Sequence, residues 1–475
     1  MKTTILLAIT LFALAAAPCP ATAAAPFALD ATGELAEVNP RFAGAFLRVP
    51  TWVRVERECR AEWLADAPVP AAVVQPQVLG DSQAAAYGWG ANSYGEIGNG
   101  TTNYSASPTP VNNLTGNVSV VAAGTSHTLG VQNGAAYAWG RNNFGQLGNG
   151  TTTNSTTPVP VTNLTSGVTA VAGGQFHSLA VQSGAAYAWG RNDSGQLGNN
   201  TNTDSITPAA VTNLTSGVTA VAAGNSHSLA IRNGAAYAWG GNAQGQLGIG
   251  STTDRTTPAA VNNLASGVTV VAAGTNHSLA VQSGAAFAWG NNLNGQLGNG
   301  TTDRSTVPVA VLTLSTGVTS VAGGFGHSLA VQNGNVFAWG YNNRGQLGNN
   351  STTDSLTPVQ VGAGQLTNIV SVAAGNLSSY ALAADGSLWV WGDNANGVLG
   401  LGTVNNFYTT PQHLLPPTGK YYEAIDTDGS GSNVVAVLGS TPPGVVPEPS
   451  TWMLLGAGAA LLALVLRHRR RTCPT

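Results

Sequence analysis

The sequence predicts an all-β fold, a seven-bladed β-propeller built from repeats of about fifty residues, and three observations predict it. Trp-Gly recurs at Trp89, Trp139, Trp189, Trp239, Trp289 and Trp339, each 50 residues after the last, and returns at Trp391. Every repeat offers three or four short stretches rich in Val, Tyr, Trp and Ala, separated by Gly, Asn, Ser and Pro, which read as strands and turns. No stretch within the repeats carries a helical period. A fixed period of this length means a propeller, solenoid or array, and four short strands in each of seven units select the propeller.

Composition excludes several classes. Charged residues make up 8% of the 475, the net charge is −3, and hydrophobic residues reach 43%. Disorder requires low hydrophobicity with high net charge, and a nucleic-acid binder requires a basic surface, for which two lysines are too few. The cysteines, Cys19, Cys59 and Cys473, are scattered and give no metal-type or redox-type spacing.

Taken along the chain, residues 1–23 read as a secretory signal. Lys2 precedes an apolar run from Ile5 to Ala17 and a small-x-small cleavage site, Ala21-Thr22-Ala23. Residues 24–83 concentrate charge, with five Arg and eight Asp or Glu. There Arg57 to Ala67 is compatible with a short helix. Val69-Pro70-Ala71-Ala72-Val73 resembles one strand of a repeat and could help close the ring. The seven repeats occupy 84–439. Residues 440–449 form a linker, and 450–475 a tail in which Trp452–Leu466 is apolar and is followed by Arg467, His468, Arg469, Arg470 and Arg471. Fifteen helical residues span about 22 Å, short against a hydrocarbon core of about 30 Å. This tail reads as a short transmembrane helix whose arginines stay cytoplasmic.

Within a repeat such as Ala136-Tyr137-Ala138-Trp139, alternate side chains point to opposite faces. One face is aromatic and the other only Ala, so the large face of one blade is expected to pack on the small face of its neighbour, with Tyr and Trp in the core.

The wording Trp-Gly-x-Asn-x-x-Gly-Gln-Leu-Gly, then Pro-x-x-Val, then Gly-x-x-His-Ser-Leu-Ala, resembles the regulator of chromosome condensation repeat across Ala84–Gly439. The sixth repeat departs at Ser378, where His is expected. The seventh has Gly397-Val398-Leu399-Gly400 and no His. Pro447-Glu448-Pro449, a short apolar helix and Arg467, Arg469, Arg470 and Arg471 at the extreme end resemble the PEP-CTERM sorting signal of bacterial surface proteins. That resemblance implies an exosortase-type processing enzyme as partner, transient residence in the inner membrane, and a final place at the cell surface or in the extracellular matrix. The exchange-factor activity of the repeat family's eukaryotic name-giver is not expected here, because the units are nearly free of insertions and the chain is neither basic nor intracellular. Secreted bacterial propellers of the same repeat class that inhibit β-lactamases through one face are a closer resemblance, and imply protein binding.

Candidate chemistry is sparse. His127, His177, His227, His277 and His327 recur, but equivalent points on seven blades at a radius of ~10 Å lie roughly 9 Å apart, too far to share a metal held at about 2.0–2.1 Å. A hydrogen bond to a turn or neighbouring strand is expected instead. Asp426-Thr427-Asp428-Gly429-Ser430-Gly431 has the opening of a calcium loop without its closing Glu, and reads as the turn before the last strand. No nucleophile elbow, P-loop or zinc motif appears. The expectation is a non-enzymatic protein with no cofactor and no metal, an exported propeller acting as a protein-interaction platform. The alternative is a glycan-associated or matrix protein binding exopolysaccharide.

Overall fold

The computed structural model describes the short strands Phe27–Leu29 and Leu35–Glu37 and residues 82–362, 365–429 and 431–440. The first two strands form an antiparallel pair, Phe27 opposite Glu37. The signal peptide, the Arg57–Ala67 helix, the Val69–Val73 strand, the three cysteines and the transmembrane tail lie outside the described residues. No helix among the described residues is long and apolar enough to cross a membrane.

From Ala85 to Gly439 the chain forms seven four-stranded antiparallel sheets. One blade shows the pattern. Val168–Gly173 is innermost, His177–Gln182 and Ala185–Gly190 follow, and Ser205–Ala210 is the outer edge. The middle two strands join through Ser183-Gly184, with φ of 51° and 78°. Both central residues are left-handed, which is the hairpin turn whose twist matches the strands. The outer strands carry a proline, as at Pro158, Pro208 and Pro258. Proline at a sheet edge removes a donor and discourages pairing with another chain.

The blade is out of phase with the sequence repeat. Each repeat supplies the third and fourth strands of one blade and the first two of the next. The ring therefore closes with a composite sheet: Tyr421–Thr427 and Asn433–Gly439 from the end of the chain pair with Ala85–Gly90 and Ser105–Pro110 from its start.

Packing between blades follows the large-on-small pattern. Trp239 is fully buried against Leu179, Ala186, Ala188 and Leu197 of the preceding blade, and the other six repeat tryptophans are equally enclosed. The tyrosines differ from expectation: Tyr137, Tyr187 and Tyr237 are only half-buried, packed at the margins of their clusters. They pair with the outer strand, as Tyr187 does with Ala210, where the wedge between blades opens toward solvent. Burying a side chain of this size is worth about 1.5–3 kcal/mol.

Trp239→Ala is expected to lower stability by roughly 3–5 kcal/mol, because alanines on the facing blade cannot collapse into the hole. Trp189→Ala should cost about the same. Thermal melting checks this, and a Trp239→Ala protein melting like the parent would contradict it.

Candidate interaction face

The recurrent wording of the repeat is consumed in holding blades together. The carbonyl of Gln146 accepts two hydrogen bonds from the next blade, from Trp189 Nε1 at 2.8 Å and Ser178 Oγ at 2.8 Å. Ser178 Oγ, having donated its proton there, accepts from His127 Nε2 at 2.9 Å. The same trio repeats as His177 with Ser228, His227 with Ser278, His277 with Ser328 and His327 with Ser379, at 2.9–3.0 Å. The five histidines thus lie on the ring one blade apart, each bonded to the hydroxyl of the neighbouring blade. Their Nδ1 atoms are buried without a hydrogen-bond partner.

Burial pushes the pKa of His127, His177, His227 and His327 down to about 3 and that of His277 to about 4. All five are neutral donors at physiological pH. Glycine three residues earlier is obligatory: a Cβ on Gly224 would collide with the His227 ring and stand 2.6 Å from the carbonyl of Gly274.

Where the motif fails, substitutes restore the bonds. Asn433 takes the histidine's place in the closing blade and donates to Thr128 Oγ1 at 3.4 Å. Val434 has no hydroxyl to give the carbonyl of Val398, which accepts instead from Tyr380 Oη at 2.8 Å, beside Trp89 Nε1 at 2.9 Å.

The polar loops are similarly self-contained. Buried Asn192 accepts from Leu197 N and donates to the carbonyls of Thr201 and Thr203. Asp204, Asp254 and Asp354 each accept a backbone N–H, from Asn192, Asn242 and Asn342. Among the described residues no cluster of three His, Cys, Asp or Glu could hold a metal.

The ring's centre holds a cavity of about 70 Å³ lined by the innermost strands. Asp426 and Asp428 border it and tie the closing hairpin to the adjoining blade. Asp426 Oδ2 accepts from Ala123 N at 2.9 Å and Asp428 Oδ2 from Thr125 Oγ1 at 2.6 Å. Asp428 and its neighbours form the turn between the last two strands. Enclosure inside the ring, with the Asp428 charge adding, raises the Asp426 pKa to about 7, against the opposing pull of the Ala123 N–H.

What breaks the repetition is one face. The loops joining the first and second strands, and the third and fourth, lie together there. Residues 226, 276 and 326 are Ser, Asn and Gly, and residues 241 and 291 are Gly and Asn, whereas the equivalent positions nearer the start hold Phe176, Arg141 and Arg191. Arg141 lies 4.9 Å from the ring centroids of both Tyr94 and Phe176. Arg191 lies over Phe144 at 5.5 Å and Phe176 at 5.8 Å, and the two phenylalanines are 5.2 Å apart. This half-exposed cluster spans three consecutive blades. The periodicity of the sequence does not reveal it; its signal lies at the variable positions of the motif, where aromatic and basic residues replace small polar ones. The same face carries exposed Leu293 and Phe325.

Residues 184–439 match the RCC1-like domain, 84–131 and 133–181 match the regulator of chromosome condensation (RCC1) repeat, and 445–471 match the PEP-CTERM protein-sorting motif. The chain belongs to the RCC1-like domain family and carries a PEP-CTERM sorting motif, which contains Pro447, Glu448, Pro449 and the terminal arginines. The search of curated proteins found no sequence match. Among solved structures it is similar to Prp20p from Saccharomyces cerevisiae, described with its binding to Gsp1p and histones, at 23% identity and a TM-score of 0.68, covering 78% of this chain and 94% of that one. It is also similar to human WBSCR16, at 24% identity and a TM-score of 0.64, covering 75% and 99%. At these identities the likeness is one of fold.

The titrations predict a pH profile. A buried histidine held below its ordinary value of about 6.5 leaves the unfolded chain with more protons, so stability is lost as pH falls below about 6.5. Asp426 acts oppositely: its raised pKa gives a contribution present in acid and lost as pH rises through about 7. Melting temperature against pH should therefore be highest at mildly acidic to neutral pH. His227→Asn, copying Asn433, should reduce the acid loss, and Asp426→Asn should flatten the neutral side; unchanged slopes in both would refute the assignment.

Proposed function

We propose that this is an exported bacterial cell-surface propeller that serves as a protein-interaction platform and is sorted by an exosortase-type enzyme. The PEP-CTERM motif indicates export and surface sorting. The observation that supports the platform is the aromatic–arginine cluster of Tyr94, Arg141, Phe144, Phe176 and Arg191 on a ring otherwise built from near-copies. Aromatic residues and arginine dominate the binding energy of protein interfaces. The histidines are no reactive site, being neutral and committed to serine hydroxyls. The Thr/Asn loops that suggest glycan binding are largely engaged with themselves: Asn149 Oδ1 accepts from both Thr151 N and Thr151 Oγ1, and Asn299 does the same with Thr301.

Purified mature protein should retain a protein of the producing cell's envelope, and Phe176→Ser with Arg191→Gly should lose it while melting like the parent. Co-sedimentation with the cell's exopolysaccharide and no retained protein would favour the matrix reading instead.

Processing is tested separately. The tail from about Pro447 is expected to be removed, since a helix of about 22 Å fits a bilayer poorly and serves to hold the chain while the arginines stop transfer. Mass spectrometry of the surface form should lack peptides covering Leu461–Arg467, and replacing Pro447, Glu448 and Pro449 with Ala should leave full-length protein in the inner membrane. Tail peptides in the surface form would show a permanent anchor.

A further inference from the structure

The geometry points to a carboxylate-recognition site on Arg141 that takes an Asp or Glu side chain of an acidic peptide segment, an inference that rests on the platform reading and names its partner's chemistry. Arg141 is held between Tyr94 of the closing blade and Phe176 of the blade beyond its own, 4.9 Å from each ring centroid. Stacking on both sides fixes the plane of a guanidinium and leaves its edge, which matches a carboxylate with two parallel N–H bonds. Arg141 forms no ion pair with a described residue, and its Nε meets no acceptor. Glu96, whose charge it feels, is buried at 5% exposure and already accepts from Tyr94 N at 2.8 Å.

The neighbouring repeat shows the completed arrangement. Arg191 is stacked on Phe144 and Phe176, and its guanidinium is joined to the carboxylate of Asp193, two residues along. Two residues after Arg141 the sequence has Asn143. The built-in acid is replaced by a neutral amide, so the same stacked guanidinium is open to a carboxylate from another molecule.

The source is a peptide. Sugars bind aromatic residues by lying on ring faces, and here guanidinium groups already lie on the faces of Tyr94, Phe144 and Phe176. What the cluster presents is a fixed cation with ring edges beside it, suited to an acidic side chain flanked by apolar ones.

Fluorescence anisotropy of the full-length mature protein with labelled hexa-L-glutamate tests this, with alginate as a uronate competitor. Arg141→Ala should weaken hexaglutamate binding about tenfold or more, and Arg141→Lys should not restore it, because an ammonium lacks the planar fork. Asn143→Asp, supplying the internal carboxylate that Asp193 supplies to Arg191, should weaken it comparably with no loss of melting temperature. Arg255→Ala, an exposed arginine on the outer strand of the blade two beyond that of Arg141, should leave it unchanged. Equal losses from Arg255→Ala, or full binding by Asn143→Asp, would overturn the site, as would alginate bound through Arg141 with no hexaglutamate binding. If an envelope protein is lost with Phe176→Ser yet kept with Arg141→Ala, the platform stands and the carboxylate site falls.

Discussion

The structure depends on one carbonyl oxygen per repeat. The Gln of Gly-Gln-Leu-Gly presents it to the following blade, where an indole N–H and a serine hydroxyl both end on it. The two donors come from adjacent strands of one blade and the acceptor from a loop of another, so the bonds fix the spacing and the angle between blades together. A buried carbonyl with both lone pairs occupied costs nothing in unsatisfied polarity. The histidine then binds the serine from behind, and each blade is tied to two others. Glycine recurs in the motif because the indole and imidazole rings lie where a Cβ would be; Gly198 would set one 2.7 Å from Trp239 Nε1.

The seam of the ring shows that the bond matters more than the residue. Valine replaces serine at 434 and serine replaces histidine at 378, yet the acceptor at Val398 keeps two donors, Trp89 Nε1 from the following blade and Tyr380 Oη from its own. Asn433 keeps a link to Thr128. Five near-identical repeats could be copied without thought for closure. The seam could not, since it joins strands more than 300 residues apart, and its Asp426 and Asp428 accept hydrogen bonds from the adjoining blade.

Strand number, blade count and the large-on-small packing were legible in the sequence because each is a periodic property. A tryptophan every fifty residues, facing alanine on alternate positions, admits few other arrangements. Three things were not legible. The phase of the blade against the repeat depends on which strands pair at the two chain ends, and no periodic signal distinguishes a blade from its circular permutation. The half-burial of Tyr137, Tyr187 and Tyr237 depends on how far the wedge between blades opens toward the rim, a property of ring geometry and not of alternation. The arginine–aromatic cluster was written at the variable positions, where each residue taken singly reads as ordinary loop and only three repeats side by side make a surface.

The composite closing sheet also sets the order of events for a chain that is made and exported from one end. Its inner strands, Tyr421–Thr427 and Asn433–Gly439, are the last of the propeller to emerge, while the strands they meet are the first. Local hairpins can form as they appear, but the contact that turns an arc into a ring has almost the largest sequence separation the domain permits, the kind that folds slowly. Until then Ala85–Gly90 offers an unpaired edge to any chain nearby. The sorting motif begins within a few residues of the final strand, so the last two strands to find their partners adjoin the segment that directs sorting.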